Sequence, residues 1–311
     1  MKSPNWLYVF LLLTAGTLWG VAFLVADIVL ETIPPFTYIV GRNFLVSVVL
    51  IIALYARGEK LPRLGRQWWP YLFVGFFDNA LPVLLSSNAQ YYVDSGLVTI
   101  FVSTTPFFTL LLARQFIKDE PIQFNQVVGI GLGLVGIVIL IGPAVLQEIG
   151  VNFWSQLALL AASLCYAIAT VFSRGYLREG ENGRSNHTAL EWLTGQFVTA
   201  TIIMLPLSLI FDNPLTLRPS QLSLIALFIS AWGIAIFAFL AFYRLNALAG
   251  PTYASFVTYL IPINGVIWGA IILQERVTIN ALVALAFILC GLAVVNGLVR
   301  LRVSGRKKRN A

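Results

Sequence analysis

Long apolar runs alternate with short polar breaks along the whole chain. Ten runs are apolar enough to cross a bilayer: residues 7–30, 35–55, 68–92, 95–117 and 126–141, then 153–176, 189–211, 221–245, 253–273 and 280–299. About 20 mostly apolar residues span the hydrocarbon core as a helix, so each run predicts one transmembrane helix, the fifth being short. Backbone polar groups in lipid must bond within their own segment, and helices do this. The connections at 31–34 and 93–94 are so tight that consecutive helices are predicted to be antiparallel neighbours.

Composition strengthens this picture. Hydrophobic residues make up 59% of the 311, with the 24 glycines not counted among them, and charged residues only 11%. Soluble domains carry roughly 45–50% apolar residues, glycine included, and about 25% charged ones. That argues against a soluble α/β enzyme. The net charge of +7 would suit a nucleic-acid partner, but its placement does not. With the N-terminus in the cytoplasm, every Lys and Arg falls on the cytoplasmic side except Arg218 and Arg276 outside and Arg42 within a span. This asymmetry predicts a multi-pass inner-membrane protein with both termini cytoplasmic and no nucleic-acid partner. The basic tail, 301–311, reads as a topology determinant, with contact to anionic lipid headgroups as the alternative. The run 6–25 is too long for a signal-peptide core and reads as a retained first helix. Cys165 and Cys290 lie in apolar runs as small buried hydrophobes. His187, the only histidine, leaves no His-pair zinc motif, and no P-loop appears, so neither a metal, a cofactor nor direct ATP drive is expected.

An internal repeat organises the spans. Residues 89–142 can be laid on 245–297, which sets Pro106 on Pro262. After a one-residue slip, Glu120 meets Glu275, Asn125 meets Asn280, Gly136 meets Gly291 and Gly142 meets Gly297. Upstream, Gly41-Arg42 falls on Gly195-Gln196 and Trp19 on Tyr166. The units are placed at 1–145 and 150–300. Each holds an odd number of spans, so the second enters the membrane from the opposite side. An all-α membrane protein built as an inverted repeat of two five-helix units is the architecture of many secondary transporters.

At these residues the chain also resembles a known family. The stretches 95–120 (SGLVTIFVSTTPFFTLLLARQFIKDE) and 250–276 (GPTYASFVTYLIPINGVIWGAIILQER) are similar to the two EamA-like domains of the drug/metabolite transporter superfamily, as are Leu18-Trp19-Gly20 and Arg42-Asn43-Phe44. The resemblance covers nearly the whole chain. It implies a ten-helix inner-membrane carrier of small metabolites, often an exporter of amino acids or related compounds. It also implies peripheral fifth and tenth helices, the others surrounding a central cavity. Asp78 and Asn79 stand outside that shared pattern.

The candidate substrate site is assembled from these spans. Pro106 and Pro262 lie near the middle of their helices, and interruptions at matched positions of two halves point to a transport site; a kink absorbed by packing is the alternative. Thr104 and Thr105 beside one proline, and Tyr259 and Asn264 beside the other, offer hydroxyl or amide contacts, unless the threonines bond back to their own helix. Arg42 sits about 10 Å below the outer surface and Asp78 near the middle. Each charge costs roughly 2.5–3.5 kcal/mol at a helix centre, so both are predicted to face the interior, as an ion pair or in one water-lined cavity. Three roles stay open: Arg42 binding a substrate carboxylate, Asp78 carrying a proton or binding an amine, or a purely structural pair. Asn79 and Gln196, the repeat partner of Arg42, join the candidates. Trp19, Tyr166, Trp232, Tyr259 and Trp268 lie within spans as cavity wall, or as helix packing or lipid contact. Gly129-x-x-x-Gly133 admits a close neighbour helix, from the same chain or from a second copy, leaving monomer and homodimer open.

The leading expectation is a secondary transporter that moves a small organic solute, driven by a coupling proton, another gradient or facilitated diffusion. A channel or scaffold is the first alternative. A lipid-modifying membrane enzyme is the second, but it needs a catalytic cluster that a single loop histidine does not supply.

Overall fold

The computed structural model describes residues 6–61, 65–89, 92–93, 98, 101–117, 123–141, 152–177, 188–272 and 279–295, and contains no strand among them. Ten helical rods follow in chain order. They are α1 (Trp6–Leu30), α2 (Pro35–Ala56), and α3, assembled from Arg66–Trp68, Trp69–Val74, Gly75–Ala80 and Leu81–Ala89. Then come α4 (Thr105–Phe116), α5 (Phe124–Ile141), α6 (Phe153–Leu177) and α7 (Ala189–Leu207, extended by Ser208–Asp212). The last are α8 (Gln221–Phe228, Ile229–Ala235 and Ile236–Ala249), α9 (Pro251–Ser255 and Val257–Ile272) and α10 (Ile279–Val295). Among the described residues five of these, α1, α2, α6, α7 and α8, are long and apolar enough to cross a membrane. The all-helical membrane fold expected from the hydrophobic runs is the one observed. The junction at 142–151, the loop at 178–187, the basic tail, and the predicted matches at Glu120, Gly142, Glu275 and Gly297 lie outside the described residues, as does the side chain of Trp268.

Local chemistry sets the helix ends. The Thr188 hydroxyl accepts the Glu191 backbone N–H at 3.1 Å, a Thr-x-x-Glu start for α7. Ser220 does the same for α8 by accepting the Ser223 N–H at 3.0 Å. Between α8 and α9 the chain turns on Gly250 alone, at φ +89°, a conformation in which a Cβ is strained. Pro251 then opens α9, where its missing N–H costs nothing. Arg174 of α6 reaches across to the end of α8 and donates to the carbonyls of Asn246, at 2.8 Å, and Ala247. The Asn246 carbonyl also accepts the Gly250 N–H at 3.0 Å, and the guanidinium adds a charged donor at this helix end.

Burial is arranged for lipid. Phe44, Ile52, Phe107, Ile202, Phe237 and Leu289 point outward, while Asn43, Asn79, Thr194, Gln196 and Asn246 are buried. Polar side chains have no water to meet on the outside, so they turn inward and bond there. Cys165 is buried as expected. Cys290 is exposed, because it lies on the outward face of α10, where an apolar thiol suits lipid as well as a core.

The helices pack in a pattern that maps onto itself when the halves are exchanged. α1 lies against α8 and α9 as α6 lies against α3 and α4; α2 pairs with α7, and α5 with α10. The smooth face of α5 is used inside the chain. A Cβ at Gly291 of α10 would stand 2.7 Å from the Gly129 carbonyl, and one at Gly133 would stand 2.2 Å from the Tyr259 ring of α9. On the opposite side, Gly195 of α7 lies on the Tyr71 ring of α3.

Candidate functional site

Seven of the ten rods, together with the turn before α4, enclose a cavity of about 940 Å³, its mouth included. α1 contributes Trp19, Ala22 and Ala26; α2 contributes Tyr38 and Arg42; α3 contributes Asp78, Val83, Ser86 and Ser87. Val102 and Thr105 come from α4 and its approach, Tyr166 and Thr170 from α6, Phe239 and Phe242 from α8, and Ser255, Thr258 and Ile261 from α9. α5 and α10 contribute none among the described residues. One wall is aromatic. Trp19 meets Phe239 edge-on at 5.3 Å and Phe242 at 5.0 Å between ring centroids, so an apolar solute group has flat surface to bury against.

The charged wall depends on an irregular turn. Gly75–Ala80 of α3 is π-helical and carries both Asp78 and Asn79. Pro82, four residues beyond Asp78, has no N–H to offer the Asp78 carbonyl, so a regular α-turn there would lose a bond. The wider turn inserts an extra residue and rotates the following face by roughly 100°. Two further π-helical stretches are described, Ser208–Asp212 at the end of α7 and Ile229–Ala235 within α8. In the register that sets Pro106 on Pro262, Asp78 falls on Ile234, so the irregular turns within α3 and α8 occupy matching places in the halves.

Arg42 and Asp78 share the cavity without forming an ion pair. The guanidinium turns instead to amide oxygens: Nε at 3.3 Å and Nη2 at 3.2 Å from Asn43 Oδ1, and Nη2 at 3.3 Å from Asn79 Oδ1. The Tyr38 ring lies 5.8 Å from its Cζ. Asp78, 4% exposed, has the Tyr243 hydroxyl 2.5 Å from its Oδ2, and that hydroxyl is also 2.8 Å from Gln196 Oε1. The competition is local: two amides adjoin Arg42, whereas the carboxylate is held by α8 across the bundle. Of the two expected arrangements, the shared cavity is the one observed.

The other candidates divide. Trp19, Tyr166 and Thr105 line the cavity beside the two charges. Thr104 and Thr105 both bond back, to the carbonyls of Phe101 and Val102 at 2.6 Å. The second replaces the N–H that Pro106 cannot give four residues on. Pro106 sits at the start of regular α4 and Pro262 inside an unbroken stretch of α9; neither lines the cavity, but their neighbours Thr105, Thr258 and Ile261 do. Asn79 and Gln196 stand behind the wall as partners of Arg42 and Tyr243. Asn264 donates to the Leu260 carbonyl at 2.8 Å and packs on Gly20, an α1–α9 contact away from the cavity. Tyr259 donates to the Ile130 carbonyl at 3.1 Å and joins α9 to α5. Trp232 faces outward, its indole N–H on the Leu45 carbonyl at 3.0 Å. An aromatic residue within a span has no fixed azimuth in the sequence, and the irregular turn in α8 sends this one toward lipid.

Tyr38, Ser86, Ser87, Thr170, Phe239, Phe242, Ser255, Thr258 and the Asp78 partner Tyr243 were not among the expected site residues. Carrying the repeat register upstream would have reached several of them. Five matched pairs line the same cavity: Trp19 with Tyr166, Val83 with Phe239, Ser86 with Phe242, Val102 with Thr258, and Thr105 with Ile261.

The chain is similar to known transporters over most of its length. The model of the EamA-like transporter family matches residues 6–142 and again 153–297. The chain is 30% identical to the uncharacterized inner membrane transporter YedA of Escherichia coli (strain K12), over 81% of this chain and 78% of that one. It is 22% identical to the uncharacterized transporter YoaV of Bacillus subtilis (strain 168), over 90% of this chain and 94% of that one. A solved crystal structure with 18% identity superposes at a TM-score of 0.77, covering 96% of this chain and 99% of the other. The family match and the apolar helices define a helical integral membrane transporter. The chain belongs to the EamA-like transporter family.

Proposed function

We propose that the protein is a secondary transporter of the inner membrane that moves a small organic metabolite by alternating access between two inverted halves, 1–145 and 150–300, with both termini cytoplasmic. The observation that carries this reading is the cavity lined by five repeat-matched pairs. Two copies entering from opposite sides place such positions around one axis in the membrane, and rocking one half against the other exposes the same wall to either side.

The lining selects a chemistry. Arg42 supplies a cation with guanidinium nitrogen to spare, Asp78 an acidic group, Ser86, Ser87, Thr105 and Thr258 hydroxyls, and Trp19, Phe239 and Phe242 an apolar face. An amino acid with an apolar side chain, or a related amphipathic compound, matches all three, its carboxylate on Arg42. Export is the direction that the family resemblance implies.

The test is counterflow. Purified protein in liposomes preloaded with unlabelled leucine or phenylalanine takes up the same labelled solute transiently above equilibrium if it is a carrier. Uptake that only relaxes to equilibrium, whatever is placed inside, supports a channel, and no uptake of any amino acid removes this substrate class.

A further inference from the structure

The hydrogen-bond arithmetic around Asp78 points to a device beyond simple binding. Tyr243 from α8 places one hydroxyl between two oxygens, Asp78 Oδ2 at 2.5 Å and Gln196 Oε1 at 2.8 Å. Three oxygens in a row need two hydrogens, and a phenol brings one. An ionised carboxylate and an amide oxygen are both acceptors, so an ionised Asp78 leaves one of these two contacts unmade. Meanwhile Gln196 Nε2 is buried with no partner, which is costly for an amide donor. Both contacts are made in either of two arrangements, and in the second Gln196 Nε2 gains a partner as well. In one, Asp78 is protonated and donates to the Tyr243 oxygen, and Tyr243 donates to Gln196 Oε1. In the other, Asp78 is ionised, the Gln196 amide has turned over so that Nε2 donates to the Tyr243 oxygen, and Tyr243 donates to Asp78 Oδ2.

We propose that Asp78 binds and releases a proton during the transport cycle, and that Tyr243 and Gln196 are positioning residues that register its state by reversing the direction of their hydrogen bonds. This rests on the transporter reading above. The proton comes from the aqueous phase that the cavity faces, forms an O–H bond on Asp78, and returns to water on the other side; no electron moves. Three helices meet at the relay: Asp78 on the π-turn of α3, Tyr243 on α8 and Gln196 on α7. Reversing it changes the direction and the donor of the bonds that tie α3 and α7 of different halves to α8, which is the kind of change that biases a rocking motion. The ionisable groups turned to the same cavity are Arg42 and Tyr38 from α2 and Tyr166 from α6. α7 offers only the uncharged Gln196 at this level, since Glu191 is bonded to Tyr71 at 2.7 Å elsewhere. Arg42 bonds Asn43 and Asn79 and makes no ion pair with Asp78.

Infrared difference spectroscopy of the full-length protein in liposomes, titrated with pH and with no substrate added, tests the relay. The expected result is a protonated-carboxyl band that grows as pH falls and is lost in Asp78→Asn. A glutamine side-chain amide band should shift with the same midpoint and be lost in Gln196→Met. In Tyr243→Phe the carboxyl band should still titrate while the amide band stays still. A wild-type carboxyl band that never titrates, or a Gln196 band unmoved by that titration, overturns the proposal. If Asp78→Asn does not fold, the wild-type and Gln196→Met spectra decide. Because no solute is needed, a negative counterflow result and a negative infrared result are separable failures.

Discussion

Tyr259 lies flat against Gly133, and its hydroxyl donates to the Ile130 carbonyl one turn away at 3.1 Å. α5 accepts the ring only because position 133 has no side chain. A methyl there would stand 2.2 Å from Cε2, closer than any real contact, so the ring and α9 would have to move. Gly133→Ala is therefore expected to lower stability by about 1–3 kcal/mol. Gly131→Ala, with nothing within 4 Å of the added carbon, is expected to be neutral. Thermal unfolding of the two variants in detergent compares them directly.

The guanidinium of Arg42 bridges Asn43 and Asn79 while facing the cavity. A lysine keeps the charge but cannot fork to two amide oxygens and still present donors inward. Arg42→Lys should fold normally and raise the KM for a carboxylate-bearing solute tenfold or more, about 1.4 kcal/mol of lost binding. Initial rates of uptake into liposomes measure it, and an unchanged KM would remove Arg42 from the binding surface.

Phe242 and Trp232 belong to the same helix and make opposite predictions. Phe242 packs against Trp19 in the cavity wall, so Phe242→Ala should weaken binding of solutes with apolar side chains by about 1–3 kcal/mol and spare smaller ones. Trp232 is 43% exposed outside the cavity, so Trp232→Phe should leave uptake unchanged at a cost of no more than about 1 kcal/mol in stability. A solute series run on both variants separates wall from surface.

Pro82 is predicted to hold Asp78 in place indirectly. Pro82→Ala restores an N–H for the Asp78 carbonyl, allows α3 to close into a regular helix, and turns the carboxylate away from Tyr243. The unfolding temperature should hold or rise while transport falls. A stabilised variant with full transport would show that the irregular turn is not needed.

Much of this was legible in the chain. Trp19, Arg42, Asp78, Thr105 and Tyr166 line the cavity, where the cost of charge in lipid and the recurrence of repeat positions point them. For Trp232 and Tyr259 the alternative to cavity wall holds: Trp232 faces outward and Tyr259 packs α9 on α5. Periodicity gives depth along a helix accurately, but a single π-turn shifts azimuth, and two of these turns interrupt α3 and α8. Phe239, Phe242 and Tyr243 lie beyond the turn in α8, which is why they went unmarked.

The amino-acid order alone determined that the protein is a helical membrane protein and that one family pattern occurs in it twice, because these follow from hydrophobic length and recurrence, which are local sums. Only the folded bundle decided that Arg42 would prefer Asn43 and Asn79 to Asp78, and that one tyrosine from α8 would stand between a carboxyl and an amide. Such choices depend on which of several close partners is within about 3 Å, and that distance is set by helices far apart in the chain.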